Sequence, residues 1–143
     1  MAGGLKHALP QDWKAKSRYA VLIANSACHG LKYHDSEYYD YIPKGYSSGI
    51  DPQEQIKEFA KLGINFYCIK IKEDTNIMYF LLSKEHAAIS KTPIKLADLG
   101  TNVESFGFFI QCTVNATISN TVLGSEIASI KNALSKLKKE KGE

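Results

Sequence analysis

The 143-residue chain lacks long hydrophobic runs and has few cysteines. No stretch approaches the ~20 consecutive apolar residues that a membrane span requires, so we expect none. The first ten residues contain no long apolar run of the kind that a signal peptide needs. The three cysteines are odd in number and lack a short paired spacing, which favours reduced thiols over a disulfide framework; they are Cys28, Cys68 and Cys112. We therefore expect a cytoplasmic protein.

Several motifs that mark catalysis are also missing. The chain has no glycine-rich phosphate loop, no Cys-x-x-Cys or His-x-x-x-His pair and no protein-kinase signature. A formal net charge of +3 is too small to argue for nucleic acid. We therefore expect neither an enzyme nor a nucleic-acid-binding protein. The apolar fraction of 44% is ordinary for one globular domain.

Three apolar segments predict strands. Residues Tyr19 to Ala24 are apolar on both alternating faces, which is typical of a parallel strand covered by helices on both sides. Ile64 to Ile71 predicts a second strand, and Ile94 to Ala97 a third. The polar segment from Ser26 to Gly49 has no clear period and predicts a long loop, and loops of this length are often functional.

Helix signals alternate with these strands. Asp51 suits the N-cap position, Pro52 the first helical position and Glu54 a capping box, while Gly63 suits a helix end. A second helix is predicted over Thr75 to about Ala88, with five core candidates: Ile77, Met78, Phe80, Leu81 and Leu82. A third begins at the capping box Thr101-Asn102-Val103-Glu104 and has apolar spacing at Val103, Phe106, Ile110, Val114 and Thr117. A last helix follows Ser125, with one apolar stripe: Ile127, Ile130, Leu134 and Leu137.

The order strand, helix, strand, helix, strand, helix, helix predicts an α/β fold with a parallel sheet of about three strands flanked by helices. Residues 1–143 form one predicted domain. Its basic helical tail starts at about residue 125, where lysines suit the end of a helix.

A set of segments spread over roughly residues 3 to 120 carries a family resemblance: Gly3-Gly4-Leu5, Ala8-Leu9, Asp12-Trp13, Ser17-Arg18, Val21 to Gly30, Tyr33-His34, Gly49 to Pro52, Glu54, Phe59, Gly63-Ile64, Phe66-Tyr67, Ile69, Leu99-Gly100, Val103 and Phe106. In these segments the chain resembles the von Willebrand factor A-like (VWA) domains found with alpha-type protein kinases. The resemblance implies a partial Rossmann-like fold in which the first half of the usual domain, including its first strand, is absent.

The resemblance also implies where a metal would bind and why this chain departs from the pattern. VWA domains bind a divalent cation at the carboxyl ends of the strands, through an Asp-x-Ser-x-Ser loop, a Thr and an Asp. The Asp-x-Ser-x-Ser loop is absent here, and Asn25 occupies the position of the Asp. Magnesium prefers anionic oxygen ligands, so we expect no conventional metal site and no cofactor.

A degenerate metal set remains as an alternative near Asn25. Its candidates are Asn25, Cys28, His29, His34 and Asp35, of which the thiol and imidazoles would suit zinc. Their spacing gives little support for a shared ion, and a role in shaping the loop is favoured. In the enzyme alternative, Cys28 is a nucleophile with His29 or His34 as its base.

Tyrosine is concentrated in the same loop. Tyrosine is enriched at protein interfaces because it offers a large rigid contact area with a polar tip. Five of the eight tyrosines are therefore candidate partner-binding residues: Tyr33, Tyr38, Tyr39, Tyr41 and Tyr46.

Without the usual first strand, Tyr19 to Ala24 would be an edge strand, and apolar edges pair readily with other chains. The function predicted is a non-catalytic protein-interaction module that forms a homodimer through this edge or binds a protein partner. The alternatives are a metal-dependent adhesion module, with magnesium or zinc, and a small Cys/His enzyme.

Overall fold

The computed structural model describes residues 1–35, 37, 39–46, 48–101 and 104–119. The helices are α1 (Ala2–Ala8), α2 (Pro52–Lys61), α3 (Asn76–Ala87) and α4 (residues 104–119). The strands are β1 (Tyr19–Ala24), β2 (Asn65–Lys70) and β3 (Lys95–Asp98). Short 3-10 turns occupy Leu31–Tyr33 and Glu73–Thr75.

The three strands form one parallel sheet in the order β1-β2-β3. Tyr19 pairs with Asn65 across the first ladder, and Tyr67 pairs with Lys95 across the second. The predicted α/β class and the three predicted strands are confirmed, with β3 shifted by one residue. None of the helices in the described part of the chain combines the length and the hydropathy that crossing a membrane requires.

Strand β2 lies at the centre of the sheet and is buried on both faces. Its Phe66 ring contacts Phe59 of α2 edge to face, at 5.2 Å between centroids. On the opposite face, the Tyr67 hydroxyl lies 2.8 Å from Thr117 Oγ1 of α4. Helices α1 to α3 therefore pack on one face of the sheet and α4 packs on the other.

The expectation that β1 is buried on both faces is wrong. Only Ala24 of the strand is buried, and Ile23 is 49% exposed. Cross-strand partners share a face, so Ala20, paired with Phe66, points toward the helices α1 to α3. Tyr19, Val21 and Ile23 then point to the other face. The apolar sequence matched a central strand, but β1 pairs with a strand of the described residues on one side only.

Helix α2 begins as its sequence predicts. Asp51 Oδ1 accepts a hydrogen bond from the Gln53 backbone N–H at 3.0 Å, and Pro52 is the first helical residue. Gly63 follows the helix with φ of 66°, the left-handed conformation that glycine adopts without strain. Glu54 does not complete a capping box, because its carboxylate pairs with Lys57 at 2.7 Å.

The core candidates of α3 are only partly correct. Met78 and Leu82 are fully buried, but Phe80 is 68% exposed and Ile77 lies at the surface. The inward face instead includes the polar His86. Apolar residues occur all around this helix, so hydrophobicity alone does not identify its buried face.

In α4 the predicted spacing agrees with the burial. Phe106, Ile110 and Val114 are half-buried and Thr117 is buried, while Thr113 is also buried and its carbonyl accepts from Thr117 Oγ1. The predicted capping residues Asn102 and Val103, the last helix after Ser125 and the basic tail lie outside the described residues.

His86 should make folding stability sensitive to mild acid. It is 1% exposed, and neither ring nitrogen has a hydrogen-bond partner within the described residues. Burial lowers its pKa below 6.5, so its neutral form favours folding above that pH and stability falls as the pH drops below it. We expect the free energy of unfolding in urea to depend less on pH between 7 and 5 in His86→Leu than in the wild type. An equal loss of stability on acidification in the variant would contradict the role of His86.

Candidate functional site

The long loop after β1, residues 25–51, is organised around the carboxylate of Asp40. Its Oδ1 lies 2.7 Å from His29 Nδ1 and accepts the Ile42 backbone N–H at 2.9 Å. Its Oδ2 accepts the Gly30 backbone N–H at 2.6 Å. The buried His34 ring lies 3.7 Å from the same oxygen. One buried carboxylate thus joins two stretches of the loop that are ten residues apart.

Asp40 remains ionised although it is buried. Burial by itself would raise its pKa, but the hydrogen bonds from Ile42, Gly30 and His29 outweigh that effect and lower the pKa to about 2. Asp40 is not among the site residues that the sequence predicts. Its bond to the N–H two residues later is an Asx turn, a local pattern that offered a signal for this role.

The candidate tyrosines fall into three environments. Tyr33 is buried, and its hydroxyl donates to Asp51 Oδ1. Tyr39 and Tyr41 are 76% and 84% exposed, with their rings edge to face at 5.1 Å. Tyr46 is partly exposed and packs edge to face on His29 at 5.2 Å. Tyr38 lies outside the described residues. Tyr33 therefore supports the loop from inside, and Tyr39 and Tyr41 present a contact surface.

The five candidate metal ligands do not share a centre. Asn25 and Asp35 are exposed, and Asp35 Oδ1 accepts the Glu37 backbone N–H at 3.2 Å. His29 and His34 lie near Asp40, while Cys28 is buried under the loop. In the part of the chain that the structure describes, no three His, Cys, Asp or Glu side chains are placed to hold a metal ion.

Cys28 has the properties of a structural thiol. It is 4% exposed, and its backbone N–H donates to Met78 Sδ of α3 at 3.4 Å. Burial raises the pKa of its thiol to about 12, so the thiolate that a nucleophile requires is strongly disfavoured. Its environment therefore gives no support to the enzyme alternative.

A pocket of about 430 Å³ lies between the two halves of the loop, beyond the carboxyl end of β1. His29, Lys32, Lys44 and Tyr46 line it with Asp51. Asp51 is already engaged by the ammonium of Lys32 at 2.7 Å, in addition to Tyr33 and Gln53. Two lysines and one aspartate therefore line the pocket, and that aspartate already pairs with Lys32.

The second candidate site is the open edge of β1, meaning the side of that strand away from β2. The Arg18 carbonyl accepts the Asn65 N–H at 3.0 Å, so it points toward β2. Peptide groups alternate along a strand, which turns the N–H and C=O of Tyr19, Val21 and Ile23 toward the open edge. No strand of the described residues pairs with them.

The surroundings of the open edge are apolar on both faces. A groove of about 410 Å³ runs between α1 and β1, where Gly4 and Leu5 of α1 face Ala20 and Leu22. On the other face, Tyr19 and Ile23 remain 37% and 49% exposed. Unpaired peptide groups beside exposed apolar side chains are the features that attract a further strand.

Replacing Asp40 with Asn should destabilise the fold near neutral pH. The amide cannot accept from both backbone N–H groups and His29 without turning its own NH₂ toward a donor. The lowered pKa, about 2 against 3.8, corresponds to about 2 kcal/mol present above pH 4 and lost between pH 4 and 2. Urea unfolding of the wild-type and Asp40→Asn chains should show a lower free energy of unfolding for the variant at pH 7 and equal values near pH 2. A difference that stays constant across this pH range would contradict the role of the Asp40 charge.

The three thiols should differ in reactivity. Cys112 is exposed, whereas Cys28 and Cys68 are buried and burial raises both of their pKa values to about 12. We expect Ellman's reagent to modify one thiol rapidly in the native chain and all three in denaturant, with the rapid reaction abolished by Cys112→Ser. Rapid native labelling of Cys28 would reopen the nucleophile hypothesis.

Comparison with known proteins gives one distant relative. No family model and no solved structure matches the chain. The chain is similar to alpha-protein kinase vwkA of Dictyostelium discoideum, with 27% identity over 126 residues, which cover 85% of this chain. The chain spans 20% of the length of that relative. The likeness is a distant association with a kinase-bearing protein.

Proposed function

We propose that this chain is a non-catalytic protein-interaction module of the VWA-like type, and that it forms a homodimer through the open edge of β1. The observation that supports it is the row of outward peptide groups at Tyr19, Val21 and Ile23, which no strand of the described residues pairs with, beside exposed apolar side chains. Any chain that covered this edge would have to satisfy its N–H and C=O groups. A second copy satisfies them by adding its own strand.

The chemistry of the loop agrees with a binding role. The Cys28 thiol is buried, and the carboxylates of Asp40 and Asp51 accept hydrogen bonds from within the fold. The exposed pair Tyr39 and Tyr41 offers rigid aromatic contact area. The same proposal places the protein in the cytoplasm, where its three free cysteines would stay reduced.

The distant relative supports the VWA-like part of the proposal. It is named as an alpha-protein kinase, and this chain matches a fifth of its length. We propose that the matching region is a kinase-associated, non-catalytic part of such proteins. The parallel sheet with helices on both faces is the architecture expected of a partial VWA-like domain.

Light scattering across a concentration series should give twice the chain mass of 15.9 kDa, with or without magnesium and zinc. Val21→Pro should return the mass to one chain. Proline removes the outward N–H of Val21, while the inward peptide groups that pair β1 with β2 remain. The loss of dimer is therefore expected without loss of the sheet.

Two further variants control this experiment. Val21→Ala keeps the N–H and should remain dimeric. Ile23→Lys places a charge at the edge without proline and should also give a monomer. Circular dichroism establishes that each variant is folded. A wild-type monomer at every concentration would overturn the proposal, and a dimer that forms only with metal would favour the metal-dependent adhesion module.

A further inference from the structure

We propose that the two copies pair β1 with β1 in antiparallel orientation, in the register that places Val21 opposite Val21 of the second copy. This inference rests on the proposed function, since it concerns the geometry of the same edge. Two identical edges that close into a dimer must be related by a twofold axis. When that axis stands perpendicular to the sheet, the two β1 strands run antiparallel and form one six-stranded sheet.

The charges at the two ends of β1 favour this orientation. The segment before the strand carries Lys14, Lys16 and Arg18 against Asp12. The loop after the strand, residues 25–51, carries two lysines against four acids: Asp35, Glu37, Asp40 and Asp51. Antiparallel pairing places the basic end of one copy beside the acidic end of the other. Parallel pairing would place like charges together.

The alternation of side chains between the two faces of the sheet limits the register in which the two β1 strands can pair. A twofold axis perpendicular to the sheet keeps each face on its own side, so every residue must oppose one that points to the same face. In β1, Tyr19, Val21 and Ile23 share one face, while Ala20, Leu22 and Ala24 share the other. Only registers that pair odd numbers with odd numbers are therefore allowed. The two with the most overlap centre on Val21 or on Leu22, and each pairs five of the six residues of β1.

Packing distinguishes the two registers. Centred on Val21, Tyr19 opposes Ile23 of the second copy, and the two exposed large side chains of the strand cover each other. Aromatic rings opposite β-branched side chains are favourable cross-strand pairs. Centred on Leu22, Tyr19 would oppose the polar Asn25, and its outward peptide group would fall beyond the end of the partner strand.

The opposite face supports the same choice. With Val21 at the axis, Leu22 of the second copy lies opposite Ala20, whose small side chain lines the groove between α1 and β1. Gly4 on the other wall has no neighbouring atoms where a Cβ would stand. The groove of about 410 Å³ therefore has room for a leucine side chain beside Ala20.

Disulfide trapping tests the register directly. The background is Cys112→Ser, which removes the exposed thiol and leaves Cys28 and Cys68 buried. On it, Val21→Cys is compared with the matched control Leu22→Cys under mild oxidation. Centred on Val21, the two introduced residues at position 21 have Cα atoms about 5.5 Å apart, within the disulfide range of roughly 4.4–6.8 Å. Those at position 22 are separated by roughly 8 Å, from strand and residue spacing.

The expected result is a covalent dimer on a non-reducing gel for Val21→Cys, reversed by reductant, and a monomer band for Leu22→Cys. Trapping at position 22 instead would overturn the register while leaving the dimer and the proposed function intact. No trapping at either position, with a dimer still seen by light scattering, would overturn the pairing of β1 with β1. A monomer by light scattering would overturn the proposed function itself.

Discussion

The burial of β2 between two helical layers is the constraint on which the rest of the structure depends. Every residue of β2 from Phe66 to Lys70 is buried, so its peptide groups have no access to water and must pair with neighbours. β1 and β3 supply those partners, one on each side. The pairing satisfies only the inward half of each outer strand. Within the described residues, no strand pairs with the other side of β1, which leaves that edge open.

In the loop after β1, hydrogen bonds offset the cost of burying a charged group. A buried carboxylate is costly unless hydrogen bonds stabilise its charge. Asp40 has two backbone donors and His29, and these lower its pKa despite burial. The same bonds hold the backbones of Gly30 and Ile42 against Asp40, whose neighbours Tyr39 and Tyr41 are exposed. The charge thus stabilises the loop rather than serving an incoming ligand.

The sequence predicted what local rules determine. Asp51 and Pro52 begin α2, Gly63 ends it, and the three apolar segments form strands in the expected order. The errors arise where distant contacts decide the outcome. Phe80 is exposed because the core selects the face of α3 that carries His86. The number of neighbours beside β1 depends on residues far along the chain. Of the donors around Asp40, only Ile42 has a local signature, the Asx turn, because Gly30 and His29 lie ten and eleven residues before the aspartate.

The side chains of β1 are not those of a protected edge strand. A protein that needed only to protect this edge could place lysine or proline there, as many natural edge strands do. Tyr19, Val21 and Ile23 are instead apolar or aromatic, and each points its peptide group outward. Exposed apolar side chains on an unpaired edge carry a risk of aggregation. In the proposed homodimer, pairing with one second copy would remove that risk, because a twofold contact closes on itself and leaves no further free β1 edge.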